Sequence, residues 1–242
     1  MRSSEPPTPR RPAWDVLAHA SERVLPDRER EIRRFLQHLQ PYAQKLGYVP
    51  VFVFGSLVED YREVLGDIPV RKAILTGFEH DVLANTSGRG SPTRPGLVAS
   101  ARESSAGRMG GLLLQLPLAR AEPLLNRLFS REGIYEQDKY LLKLGRTEGE
   151  LGDVEAVVFA TNPDSPLAIG PTLDSRTAAD LMHATGTEGS SLDYWRDGFI
   201  APRERLGLEV PESIRRAVEL AARTPPEGGG GGTGADTQKG EE

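Results

Sequence analysis

The run Phe52-Val53-Phe54-Gly55-Ser56-Leu57 constrains this chain more than any other stretch. Residues 49–54 are almost continuously apolar, the pattern of a short strand buried on both faces, and the run stops abruptly at a glycine. A strand that closes on Gly-Ser leaves backbone N–H groups pointing outward, where they can hold a carboxylate or carbonyl oxygen. Further strands are expected at 70–77, 96–101, 108–116, 139–144 and 155–160, with a helix over 117–130 between them. Several strands interrupted by one helix and followed by a helical end predict an α+β fold with a closed or strongly curved mixed sheet, a small barrel, and flanking helices.

Ahead of the first strand, Ile32, Phe35, Leu36 and Leu39 recur at i, i+3, i+4 and i+7. Arg28, Arg30, Arg33, Arg34 and Gln37 fill the other positions, so an N-terminal amphipathic helix is expected, packed on the domain or self-associating with a partner subunit. Pro41 should break or kink it. A preceding turn or two over 13–24 would dock Trp14 and Leu17. Downstream, Asp174 or Ser175 can cap a helix reaching about Thr185, and Ser190 with Asp193 resembles a capping box for a helix through Tyr194, Trp195 and Phe199. Pro211 suits the first position of a last helix that turns Ile214 and Val218 inward. The proline-rich residues 1–12 and the glycine-rich residues 224–242 are expected to be disordered, leaving a helical extension over 13–48 and a domain over 49–223.

Composition removes several function classes. The absence of cysteine excludes disulfides, thiolate zinc sites and a cysteine nucleophile, and fits a reducing cytoplasm. A net charge of −5 argues against nucleic-acid binding. That charge is uneven: nine Lys/Arg against six Asp/Glu give residues 1–47 a charge of +3, leaving −8 for the rest. No apolar run approaches the roughly 20 residues that span a bilayer, and nothing resembles an export signal, so a soluble cytoplasmic protein with no membrane partner is expected. His19, His38 and His183 lack metal-ligand spacing, and the 88–96 segment lacks the phosphate-loop pattern, so no metal or cofactor is expected. Ser56 lies outside any Gly-x-Ser-x-Gly elbow and reads as a turn-capping serine.

Six matches in collinear order, two of them double, resemble the gamma-glutamylcyclotransferase family, especially its ChaC-type branch. Phe54-Gly55-Ser56-Leu57 stands where that branch has Tyr-Gly-Ser-Leu. Gly77-Phe78 resembles its Gly-aromatic step, with His80 where an arginine often follows; His80 either substitutes for that arginine or ends the strand. The segments Gly88-Arg89-Gly90-Ser91-Pro92 and Pro95-Gly96-Leu97-Val98 resemble Arg-Gly-Thr-Pro and Pro-Gly-x-Val. Gly110-Gly111-Leu112-Leu113 resembles Gly-Val-Ala-Tyr, and Arg131-Glu132 matches the family's Arg-Glu. Phe159-Ala160-Thr161-Asn162-Pro163-Asp164 and Ile169-Gly170-Pro171 resemble Tyr-x-Ala-x-Pro-Asp and Leu-Gly-Pro; Phe54 and Phe159 each lack a hydroxyl that members often carry.

The resemblance implies cyclisation of a gamma-glutamyl group to 5-oxoproline with release of the attached amine, glutathione being the favoured substrate. It implies that Glu132 transfers the protons and that Phe52, Val53, Phe54, Gly55, Ser56 and Leu57 bind the substrate, Phe54 as a packing wall, Gly55 by leaving room and Ser56 with a hydroxyl. Two alternatives stay open: cyclisation of other gamma-glutamyl amines in a biosynthetic pathway, and a gamma-glutamyl-binding module of the same fold without turnover.

Overall fold

A computed structural model describes residues 28–134, 138–150, 152–169 and 173–224. The expected disorder of 1–12, the turn over 13–24 and nearly all of the glycine-rich tail fall outside the described residues. Helix α1 (Arg28–Leu46) leads into strand β1 (Tyr48–Val53), followed by α2 (Leu57–Leu65), β2 (Val70–Asn85), β3 (Gly96–Pro117), α3 (Ala121–Glu132), β4 (Tyr140–Gly149) and β5 (Val154–Thr161). The five strands close into a barrel in the order β1-β3-β2-β4-β5. All neighbours are antiparallel except β1 and β5, which run parallel through Val51 and Val157. The α+β small-barrel expectation therefore holds.

Strand β1 is buried on both faces, as its apolar run requires. Val49, Val51 and Val53 pack in one cluster with α1, α2 and α3, including Ile32, Leu39, Leu57, Leu65 and Phe129. Phe52 and Phe54 point the other way, into a cluster that includes Leu75, Phe78, Leu113, Trp195, Phe199 and Val218. Helix α1 thus packs on the domain itself, burying Ile32, Leu39 and Ala43. It also continues through Pro41 to Leu46 without ending. The proline lies on the exposed side, while Leu39 and Ala43 on either side are buried, so tertiary packing holds a turn that the missing N–H would weaken.

The strands are longer than the hydrophobic pattern suggests. Gly77 lies inside β2 with φ +78°, at a register shift between Thr76 and Phe78, and the strand runs on to Asn85. A bulge of this kind bends a strand without ending it. His80 is therefore a mid-strand residue, which corrects the strand-end reading. The two strands expected over 96–116 are one, β3, which pairs with β2 along most of its length.

The C-terminal region holds α4 (Ser175–Met182), a two-residue ribbon (Thr185–Gly186 with Gly189–Ser190), α5 (Ser191–Asp193), a π-helical stretch (Tyr194–Ile200), α6 (Ala201–Arg205) and α7 (Glu212–Arg223). Asp174 caps α4 by accepting the N–H groups of Arg176 and Thr177, each at 3.0 Å, and these bonds hold its carboxyl below the usual carboxylate range. Ser190 Oγ likewise accepts the Asp193 N–H at 3.0 Å. Pro211 precedes α7 by one residue, as its cap. No described helix is long and apolar enough to cross a membrane.

Candidate active site

Where β1 gives way to α2, the backbone carbonyls of Gly55 and Ser56 accept the first helical bonds from Val58, Glu59 and Asp60. The N–H groups of Gly55, Ser56 and Leu57 meet no acceptor among the described residues. Three donors at the start of a helix, where the dipole is positive, form a cradle for negative charge. Arg131 sits beside it: the guanidinium pairs with Asp60 and lies 3.4 Å from Ser56 Oγ.

Glu132 reaches the same place from the other direction. It is the last residue of α3, whose Leu124, Leu125, Leu128 and Phe129 are buried, and Gly133 closes the helix in the left-handed conformation. That anchoring turns the Glu132 side chain into a cavity of about 330 Å³ that is also lined by Val53, Phe54, Gly55, Ser56 and Leu57. The side chain is 19% exposed, and its one salt-bridge partner among the described residues is Arg131 Nε, 3.9 Å away. No described donor gives it a hydrogen bond. Desolvation raises its pKa; Lys139 and Arg131 oppose the rise, and Glu188 adds to it. A position at the negative end of the α3 dipole works in the same direction as the burial.

Two hydroxyls also reach this cavity. Tyr140, at the start of β4, and Tyr194, in the π-helical stretch, both line it. Tyr194 Oη accepts the Ala99 N–H at 3.1 Å, and burial pushes its pKa up to about 12. Burial, with the nearby charge of Glu132, holds the Tyr140 phenol well above its ordinary value. Both are therefore neutral donors at physiological pH. Neither was among the expected site residues; the missing hydroxyls at Phe54 and Phe159 were the only hint. Phe159 lines the cavity too. Phe52 does not: it is fully buried in the core, its ring 6.4 Å from that of Phe54. Phe52 shares the inward face of β1 with Phe54 but lies two residues back from the turn, deeper in the core.

Behind the cradle lies a second buried charge. Arg203, fully enclosed, donates to the carbonyls of Phe54 at 2.9 Å, Gly110 at 3.0 Å and Glu209 at 2.7 Å. Its Nη2 is 3.2 Å from His80 Nε2. Because a guanidinium only donates, Nε2 must accept and the imidazole is neutral. Burial, then the Arg203 charge, lowers the His80 pKa to about 3. Burial lowers that of Arg203 to about 10, which leaves it charged at neutral pH.

The family model for ChaC-like proteins matches residues 49–200. This chain belongs to the ChaC-like family. Two similar solved structures are of a yeast gamma-glutamyl cyclotransferase specific to glutathione. One, of the selenomethionine-labelled protein, is 16% identical, covers 73% of this chain and 96% of its own, and has a TM-score of 0.60. The other is 15% identical, covers 72% and 98%, and has a TM-score of 0.58. No curated protein matches the sequence. Family and fold agree: the ChaC-like chain shares the fold of those gamma-glutamyl cyclotransferases. Every residue named in the cavity lies within the matched segment, whereas Arg203 and α1 lie outside it.

Proposed function

We propose that this ChaC-like enzyme cyclises the gamma-glutamyl group of glutathione to 5-oxoproline and releases the remaining amine, with Glu132 carrying the protons. One observation carries the reading: among the described residues, a carboxylate with a raised pKa and no hydrogen-bond donor shares a small cavity with three backbone N–H groups that meet no acceptor. A volume of about 330 Å³ falls at the lower end of the roughly 300–1,000 Å³ of small-molecule sites.

In the reaction the substrate's own α-amine attacks its own γ-carbonyl carbon. The two are already tethered, so fixing the ring-forming conformer contributes as well-oriented intramolecular reactions do, about 7–11 kcal/mol. The substrate arrives as an ammonium, and Glu132 takes a proton from it so that the nitrogen can attack. The N–H groups of 55–57 grip the glutamyl carboxylate, and negative charge develops on the carbonyl oxygen, where the neutral phenols of Tyr140 and Tyr194 are candidate donors. As the amide C–N bond breaks, Glu132 returns its proton to the departing nitrogen. Overall the attacking nitrogen gives up two protons and the leaving nitrogen gains two, so none is consumed. A raised pKa suits both halves, since the group must accept from an ammonium and donate to a departing amine.

The test is to incubate the purified full-length chain with glutathione and follow 5-oxoproline by chromatography. Stoichiometric release of 5-oxoproline and cysteinylglycine is expected. Saturable glutathione binding without 5-oxoproline would instead make the protein a binding module. Turnover of neutral gamma-glutamyl amines with none of glutathione would move the substrate to that class.

A further inference from the structure

Beyond the cradle, with Arg131 and Lys139, the cavity holds a further cation on a separate loop, and its geometry is that of a carboxylate reader. We propose that Arg89 is a specificity-determining residue that binds an acid group on the departing amine. The enzyme then selects gamma-glutamyl peptides over neutral gamma-glutamyl amines. This inference rests on the cyclotransferase reading above and deepens it.

The loop is built to hold Arg89 in place. Asn85 Oδ1, at the end of β2, accepts the N–H groups of Arg89 at 2.7 Å and Ser87 at 3.2 Å. The ribbon over 185–190 then seats against the loop, with Thr187 N–H donating to Ser87 at 3.0 Å and Glu188 N–H to Gly88 at 2.7 Å. Gly186 makes that seat possible, because a Cβ there would stand 2.1 Å from the Ser87 carbonyl oxygen. The Arg89 guanidinium rests 5.5 Å from the centre of the Tyr194 ring and lines the cavity.

Arg89 keeps most of its donors unspent. Of five N–H groups, Nη1 gives one hydrogen bond, to the Glu188 carbonyl. Nε is buried and has no hydrogen-bond partner among the described residues. The Glu188 carboxylate stands 3.7 Å from Nε, beyond hydrogen-bond length, and its side chain is 68% exposed. It therefore offsets the charge without occupying the planar edge that a carboxylate would take in bidentate fashion.

A gamma-glutamyl group carries one carboxylate of its own, and the N–H cradle with Arg131 already suits it. Lys139 also lines the cavity but acts on the Glu132 side, where it lowers the pKa of the proton carrier. Arg89, across Tyr194 from that cradle, is the donor set left for a second anion. A substrate with two carboxylates, one on each side of the reacting amide, uses both.

The test compares glutathione with gamma-glutamyl ethylamide, whose departing amine is neutral, on wild-type enzyme, Arg89→Gln and Arg89→Lys. We expect the wild type to favour glutathione and Arg89→Gln to raise its KM by about 10- to 100-fold, the scale of a lost hydrogen bond between charged groups. The ethylamide should lose far less, and Arg89→Lys should recover part of the glutathione KM. Equal losses on both substrates, or a wild type without preference, overturn the assignment. The ethylamide also reports folding, since a misfolded variant loses both activities. No 5-oxoproline from either substrate with the wild type instead overturns the cyclotransferase reading, and this inference with it.

Discussion

Glu132 and Arg203 are both charged groups drawn out of water, and the chain treats them in opposite ways. Arg203 is sealed from solvent and gives its donors to three carbonyls and an imidazole. Glu132 sits at the wall of a cavity, with one loose ionic contact and no described hydrogen-bond donor. Burial disfavours the charged form of each, lowering one pKa and raising the other. What differs is satisfaction. A buried ion whose every nitrogen has a partner holds elements together, here the end of β1, β3 and the segment after α6. A buried ion left short of partners is destabilising unless something else requires it, and such groups concentrate at functional sites.

The sharpest way to break this contrast is to neutralise each ion in turn. Glu132→Gln keeps the shape and removes the proton carrier, so kcat for 5-oxoproline release should fall by about 10²–10⁴-fold, measured in steady-state kinetics. Its stability should move the other way at neutral pH. A carboxyl whose folded pKa is raised contributes stability that is present below the unfolded pKa and lost as pH rises through the folded one, and the amide removes that loss. Thermal melts at pH 7 should therefore show the variant at least as stable as the parent. Arg203→Met should do the reverse. Three carbonyls lose a donor, at about 1–3 kcal/mol each, partly offset by the apolar side chain, so urea denaturation should show a loss of about 3 kcal/mol. An Arg203→Met protein of full stability would mean that the carbonyl bonds contribute nothing.

Gly55→Ala sharpens the comparison at the seam between the two sites. The new Cβ would lie 3.5 Å from Tyr194 Oη and 3.8 Å from Ala99 Cβ, ordinary contact distances, so the fold should tolerate it. It would nevertheless project beside the N–H cradle, and a KM increase of several-fold with unchanged melting temperature is expected.

What the sequence made legible follows the range of the interactions. The doubly buried β1, the turn at 55–57, the Asp174 cap and the placement of Glu132 with that turn rest on local patterns or collinear motifs, and the structure brings them together. Pro41 misled because burial of Leu39 and Ala43, a tertiary effect, overrides a local helix breaker. His80 misled because a bulge at Gly77 looks like a strand end in sequence. Phe52 was assigned with its neighbours although it lies two residues back from the turn, enclosed in the core. Tyr194 was hidden by the π-helical stretch, whose extra residue per turn shifts which side chains face inward. Arg203 and His80 meet across 123 residues, a pairing that no window of sequence contains.

The pH dependence of kcat/KM for 5-oxoproline formation from glutathione tests the role of Glu132 most directly. The free enzyme must hold Glu132 as a carboxylate and the free substrate must be an ammonium, so the rate should fall on the acid side through the raised pKa of Glu132. That limb is predicted to lie above the ordinary value of 4.5 and below the titration of the substrate amine. An acid limb at the ordinary carboxylate value, or one that follows only the substrate amine, would contradict the account.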